Sequence, residues 1–152
     1  MVGNVSAMVV KYKILEKHHL LVMKWSGDWS MKAYTDSMEP FMKLVSENGI
    51  KYIISDLNDL IVNIKLEDIR ELMANRPPVE GKRYKTVYLI DNPEVTAIMH
   101  LYSERFNKGE LLYQYCITPE KAISLLSLQM SSQELSEAIE SADLLLTGEA
   151  IY

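Results

Sequence analysis

The stretch IKYIISDLNDLIVNIKLED, Ile50 to Asp68, carries the reading on which the fold depends. Its first part gathers Ile50, Tyr52, Ile53 and Ile54 into a short β-branched and aromatic run, a composition that suits a pleated, packed strand. Neighbouring residues of a strand point to opposite faces. A run that is apolar at consecutive positions therefore predicts burial on both faces, as in a strand inside a mainly parallel sheet. Asp56-Leu57-Asn58-Asp59 then reads as a turn, because Asn and Asp side chains bond nearby backbone groups there. Leu66, Ile69 and Met73 follow at helical spacing, with Glu67 and Asp68 near the positive end of that helix. In open α/β sheets ligands settle outside the carboxyl ends of the strands. That makes Asp56, Asn58, Asp59 and Asn63 candidates for ligand or partner binding.

Upstream, Lys11 to Glu16 alternates polar and apolar residues, Lys17-His18-His19 interrupts, and Leu20 to Trp25 is apolar apart from Lys24. This predicts a β-hairpin with a polar tip. The adjacent histidines of that tip would face opposite ways, and no metal role is assigned to them. Ser26-Gly27-Asp28 is expected to break the second strand, and Ser30 to cap a helix from Met31. Tyr34, Met38, Phe41 and Val45 share one helical face, and Asn48-Gly49 supplies a left-handed stop. Pro40 lies inside this pattern, where its missing N–H predicts a kink or a split.

Downstream, Arg76-Pro77-Pro78 ends the second helix, and KTVYLI, Lys85 to Ile90, is the next strand. Asn92-Pro93 opens a helix with Val95, Ile98 or Met99, Tyr102 and Phe106 on its inner face. His100 on this helix reads as a packed or surface residue, with no acid or thiol at a productive offset. LLYQYCI, Leu111 to Ile117, is a further strand. Thr118-Pro119-Glu120 then opens a helix with Ala122, Ile123 and Leu126 inward. Ser131 and Glu134 have the spacing of a capping box. They precede an amphipathic helix over Leu135, Ala138, Ile139 and Ala142 and a short tail at Leu144-Leu145-Leu146. Strands alternating with helices call for parallel neighbours joined by right-handed crossovers.

The chain of 152 residues is read as one domain over 1–152, with a core at about 11–128 and a helical extension at 131–152. Hydrophobic residues at 48% and charged residues at 24% match an ordinary globular protein rather than a disordered one. A net charge of −5 argues against a nucleic-acid partner, and Lys82-Arg83 with Lys85 is too short a basic cluster to reverse that. A single cysteine, Cys116, excludes an internal disulfide and multi-cysteine zinc sites and is compatible with a reducing compartment. No signal-peptide pattern and no apolar run of about 18 residues is present, so a cytoplasmic protein without a transmembrane segment is expected.

With the opening hairpin and its LLVMKWSG strand, IISDL, LEDIREL, KTVYLID before Asn92-Pro93, and ITPEKAISLL, the chain resembles the STAS / SpoIIAA-like superfamily over roughly Lys11 to Leu128. It looks closest to small stand-alone STAS/SEC14-type proteins. The resemblance implies a SpoIIAA-like α/β fold: a mixed, mainly parallel sheet, an antiparallel N-terminal hairpin strand and helices mostly on one face. In the anti-sigma-factor antagonists of that superfamily a regulatory serine opens the helix after the central strand, which here falls near Ile64 and Lys65. No hydroxyl residue lies between Asn58 and Asp68, so no phosphorylation site is carried over.

The expected function is that of a non-enzymatic regulatory or binding module acting on a protein partner, a second copy of itself, or a small apolar ligand or lipid. Neither cofactor nor metal is implied. Tyr52 and Tyr88, with Tyr113 or Tyr115, are expected to share one sheet face as an aromatic surface. The alternatives are a lipid carrier or a small enzyme that divides acid and base roles among Asp56, Asp59 and Asp91 at strand ends.

Overall fold

The computed structural model describes residues 7–62, 67–68, 71, 84–106 and 113–147. Six strands form one sheet: β1 Val9–Leu15, β2 Leu20–Asp28, β3 Tyr52–Ile61, β4 Lys85–Leu89, β5 Tyr113–Cys116 and β6 Asp143–Thr147. Among the described residues the α-helices bounded at both ends are α1 Met31–Glu47, α2 Pro93–Phe106, α3 Pro119–Leu125 and α4 Ser132–Glu140, and they pack on it. The strand order is β5-β4-β3-β2-β1-β6. β2, β3, β4 and β5 pair in parallel, and β1 is antiparallel to both β2 and β6.

β3 is the interior strand that its isoleucines predict, flanked on both sides by parallel neighbours. Ile53 and Ile54 are both buried and belong to opposite layers. The expected turn at Asp56–Asp59 is not a turn, since β3 runs on to Ile61. The polar residues are accommodated by a bulge: Lys24 pairs with Asp56 but Ser26 with Asp59, so β3 carries one extra residue there. Its consequence is visible in the leucines. Leu57 and Leu60, three apart, are both buried in the same layer, which an unbroken period of two would forbid. The turn chemistry is still present, because the Asn58 N–H donates to Asp56 Oδ1 at 2.9 Å. Ser26-Gly27-Asp28 likewise stays in strand, against expectation, because β3 extends far enough to pair with all three.

α1 begins at Ser30, whose hydroxyl accepts from the Ala33 N–H at 3.1 Å, and ends beside Gly49 at φ 59°. Pro40 does not split it. Asn92, Thr118 and Ser131 cap α2, α3 and α4 with side-chain oxygens, as the sequence predicts. The Leu144-Leu145-Leu146 tail is instead strand β6, which pairs with the outer side of β1. The helix expected over Leu66, Ile69 and Met73 lies largely outside the described residues, although Glu67, Asp68 and Glu71 are helical.

Two apolar layers result. Val10, Leu21, Met23, Trp25 and Ile53 pack with Ala33 and Val45 of α1 and Val95 of α2. On the opposite face Leu20, Val22, Ile54, Val87 and Leu89 pack with Ala122 and Leu126 of α3 and Leu135, Ala138 and Ile139 of α4. Right-handed crossovers that all step the same way put their helices on one face. α1 and α2 obey this, whereas α3 and α4 lie across the other face on the way back to β6. The expectation of helices mostly on one face therefore holds for the described crossover helices and not for the two that follow β5. Among the described residues no helix is long and apolar enough to cross a membrane.

Candidate functional site

Of the strand-end residues singled out in the sequence, Asp56 and Asn58 are engaged with the backbone and Asp59 with a lysine. Asn58 Oδ1 accepts from the Asp91 N–H at 2.7 Å, tying the bulge of β3 to the end of β4. Asp59 Oδ2 lies 3.3 Å from Lys24 Nζ on the surface. Asp56 and Asn58 line a hollow of about 210 Å³ beside Lys24, Ser136 and Glu140. Asp91 instead lines a different and larger groove. Asp56 and Asp91 thus share neither of these two hollows, whereas a divided acid–base role requires a common pocket. Asn63 lies outside the described residues.

Tyr88 shares a face with Tyr115 as expected, but Tyr52 lies on the opposite one, which corrects its place in the expected aromatic surface. Register pairs Tyr88 with Ser55 and Tyr115, while Tyr52 pairs with Leu20 and Lys85. Tyr52 packs in the layer under α3 and α4, and Tyr88 in the layer under α1 and α2. The C-terminal helix α4 consequently cannot cover Tyr88. The one-residue offset in strand parity, 52 against 88, decides this, and only the register reveals it.

An open groove of about 1180 Å³ lies between α2, the end of β5 and the start of α3. Ile90 and Pro93 form one part of its lining, Ala97 and Leu101 the α2 wall, and Tyr115 and Ile117 the opposite wall. Three of these are large apolar side chains left in solvent: Ile117 is 63% exposed, Leu101 44% and Tyr115 36%. The lining also carries Asp91, Thr96, His100, Cys116 and Lys121. A concave, chiefly apolar surface with a few convergent polar groups is the usual form of a small-molecule site.

One polar constellation stands on the groove wall. His100 Nδ1 lies 2.9 Å from the Tyr115 hydroxyl, and His100 Nε2 lies 3.2 Å from Glu104 Oε1. The His100 and Tyr115 rings meet edge to face at 83° with centroids 6.1 Å apart. His100 was expected to lack an acidic partner, but Glu104 sits four residues on along α2, the spacing at which helical side chains meet. That signal was present in the sequence. The tyrosine was not recoverable from spacing, since the strand–helix packing alone brings position 115 to position 100.

Cys116, next to Tyr115, lines the same groove, and its Sγ donates to the Thr118 carbonyl at 3.5 Å. Burial pushes its thiol up from the ordinary range, while the Thr118 backbone and the Lys121 ammonium pull the other way by less. A thiol so placed is a poor nucleophile near neutral pH.

At the opposite end of the sheet the histidine pair is also placed. His18 ends a single 3-10 turn between β1 and β2, and its side chain is 8% exposed with Nε2 3.6 Å from Glu134 Oε1. His19 adopts the left-handed conformation at φ 52°.

With this geometry in place, comparison with solved structures shows the fold to be SpoIIAA-like. An uncharacterized protein of the DUF3478 family from Shewanella loihica PV-4, described as having a SpoIIAA-like fold, matches with a TM-score of 0.55. The match covers 83% of this chain and 98% of that one at 16% sequence identity, a level that establishes architecture alone. No protein-family model and no curated protein matches the sequence.

Proposed function

We propose that this protein is a non-enzymatic binding module that receives a small apolar molecule in the groove between α2 and β5. The observation that carries this reading is the groove itself: about 1180 Å³ of concave surface whose walls leave Leu101, Tyr115 and Ile117 partly in water. Returning such side chains to an apolar contact is favourable at about 25 cal/mol per Å² of surface removed from water. Because the groove is open, it suits reversible occupancy better than the enclosed carriage of a long lipid.

The test is saturable binding of a neutral, environment-sensitive apolar dye. One site per chain is expected, weakened about tenfold or more by Leu101→Asp, since a buried leucine contributes on the order of 2 kcal/mol. Leu144→Asp, on β6 at the far edge of the sheet, should leave dye binding unchanged. Unsaturable binding, or equal losses at both positions, would refute the assignment.

A second reading, self-association, is favoured by Ile117 standing 63% exposed directly after β5, which ends the sheet. Sedimentation equilibrium of wild type and Ile117→Lys decides it. A dimer that dissociates in the variant supports it, and a monomer in both cases ends it.

A further inference from the structure

The groove's polar wall has a directionality that follows from elementary hydrogen-bond bookkeeping. An ionised carboxylate only accepts, so Glu104 Oε1, 3.2 Å from His100 Nε2, favours the tautomer that carries its proton there. In neutral imidazole the other nitrogen is then a bare acceptor. The Tyr115 hydroxyl, 2.9 Å from Nδ1, must therefore spend its one proton on His100. What it has left for the groove is acceptor capacity only. When His100 takes up a proton from solvent, Nδ1 becomes a donor. Tyr115 Oη then accepts from Nδ1, and the phenolic proton, never lost from Tyr115, rotates to face the groove.

We propose that Tyr115 reads the head group of the groove's ligand and that His100 sets the sense of the reading. With neutral His100, the site takes a small apolar molecule headed by a hydrogen-bond donor such as an alcohol. Protonation of His100 opens it to acceptor-only heads. This rests on the groove being a ligand site, as argued above. Among the described residues, the titratable groups on the same wall or lining of the groove are Glu104 on α2, Cys116 after Tyr115 on β5, Asp91 after β4, and Lys121 on α3. Of these groups it is His100 whose ring nitrogen meets the Tyr115 hydroxyl, so its protonation is the change that alters the head-group code.

The experiment compares two isomers, octanol and heptyl methyl ether, as competitors of the bound dye at pH 8 and pH 5. The alcohol donates and accepts, whereas the ether only accepts. The alcohol-to-ether affinity ratio in wild type is divided by the same ratio in Tyr115→Phe, which cancels the difference in hydration of the two heads. The quotient is expected to be about five at pH 8, the value of one ordinary hydrogen bond, and to fall at least about threefold at pH 5. In His100→Leu it should be the same at both pH values. A quotient of one at pH 8 with the dye normally bound, or one that stays at about five at pH 5, overturns the head-group reading while leaving the groove as a site. Dye binding that ignores Leu101→Asp overturns the site itself.

Discussion

Gly27 and Gly49 both hold positive φ, 81° and 59°, yet the space around them differs completely, which allows two physical costs to be separated in one protein. A Cβ at Gly49 would meet nothing within 4 Å. A Cβ at Gly27 would run into the backbone carbonyl of Ala7 and come within 3.2 Å of Met8 Cα. Ala7 forms a bridge to Asp28, and Met8 beside it is only 2% exposed. Gly49→Ala therefore pays only the left-handed backbone, about 1–2 kcal/mol. Gly27→Ala bears that cost and must also displace the Ala7–Met8 backbone. Truncating a buried methionine costs about 2–5 kcal/mol, so a displacement that partly unseats Met8 adds about 1–3 kcal/mol. Urea unfolding should then place Gly27→Ala about 2–5 kcal/mol below wild type and Gly49→Ala about 1–2 kcal/mol below. Asparagine tolerates the left-handed region better than alanine. Gly49→Asn is thus expected to regain part of its loss, and Gly27→Asn to regain nothing, since its Cβ meets the same carbonyl. Equal losses at the two glycines, or recovery in Gly27→Asn, would refute the close-approach argument.

Two further outcomes are expected. Leu135, fully buried against Leu20, Val22 and Ile54, should lose about 2–5 kcal/mol on Leu135→Ala and under about 1.5 kcal/mol on Leu135→Met, read by the same urea titration. Cys116, with its folded thiol pushed up by burial, should alkylate more slowly with iodoacetamide than free cysteine at pH 8. The unfolded chain gives up this proton first as pH rises. The thiol's contribution to stability is therefore intact below the ordinary thiol range and lost as pH climbs toward the folded value. The stability of wild type relative to Cys116→Ala should accordingly decline above that range, and a flat difference would contradict it.

The parts of the fold legible in the sequence are those in which a local pattern and its tertiary setting agree. Ile53-Ile54 specifies a two-faced interior strand, and Ser30, Asn92, Thr118 and Ser131 each mark a helix start that the structure keeps. Failures occur where local chemistry has two structural outlets. Asp56-Leu57-Asn58-Asp59 favours a backbone reversal or a bulge, and the choice falls to β2, whose Ser26-Gly27-Asp28 segment offers β3 a partner to the end. Leu144-Leu145-Leu146 is too short to declare itself, and becomes a strand because the outer edge of β1 is there to receive it. The groove was least legible. Its walls join residues 90–101 to residues 115–121, and its polar pair joins 100 to 115, separations that no periodicity reports.

The position of that groove follows from how the sheet grows. From β2 to β5 each parallel strand is added on the same side, so no reversal of strand order opens a crevice at the end of β3. The end of β3 is moreover largely occupied: the bulge keeps it paired to β2 as far as Ile61, and Asn58 ties it to the Asp91 N–H, leaving the smaller hollow of about 210 Å³ beside Asp56. The wider opening is at the end of β5. There the chain leaves α2 on one face and crosses with α3 and α4 to the other, in order to reach β6 beside β1. Two helices departing to opposite faces cannot both cover the strand between them. Tyr115 and Ile117 stay partly in water as a result, and the open groove lies at the edge of the sheet rather than at the end of β3, where the sequence placed its candidates.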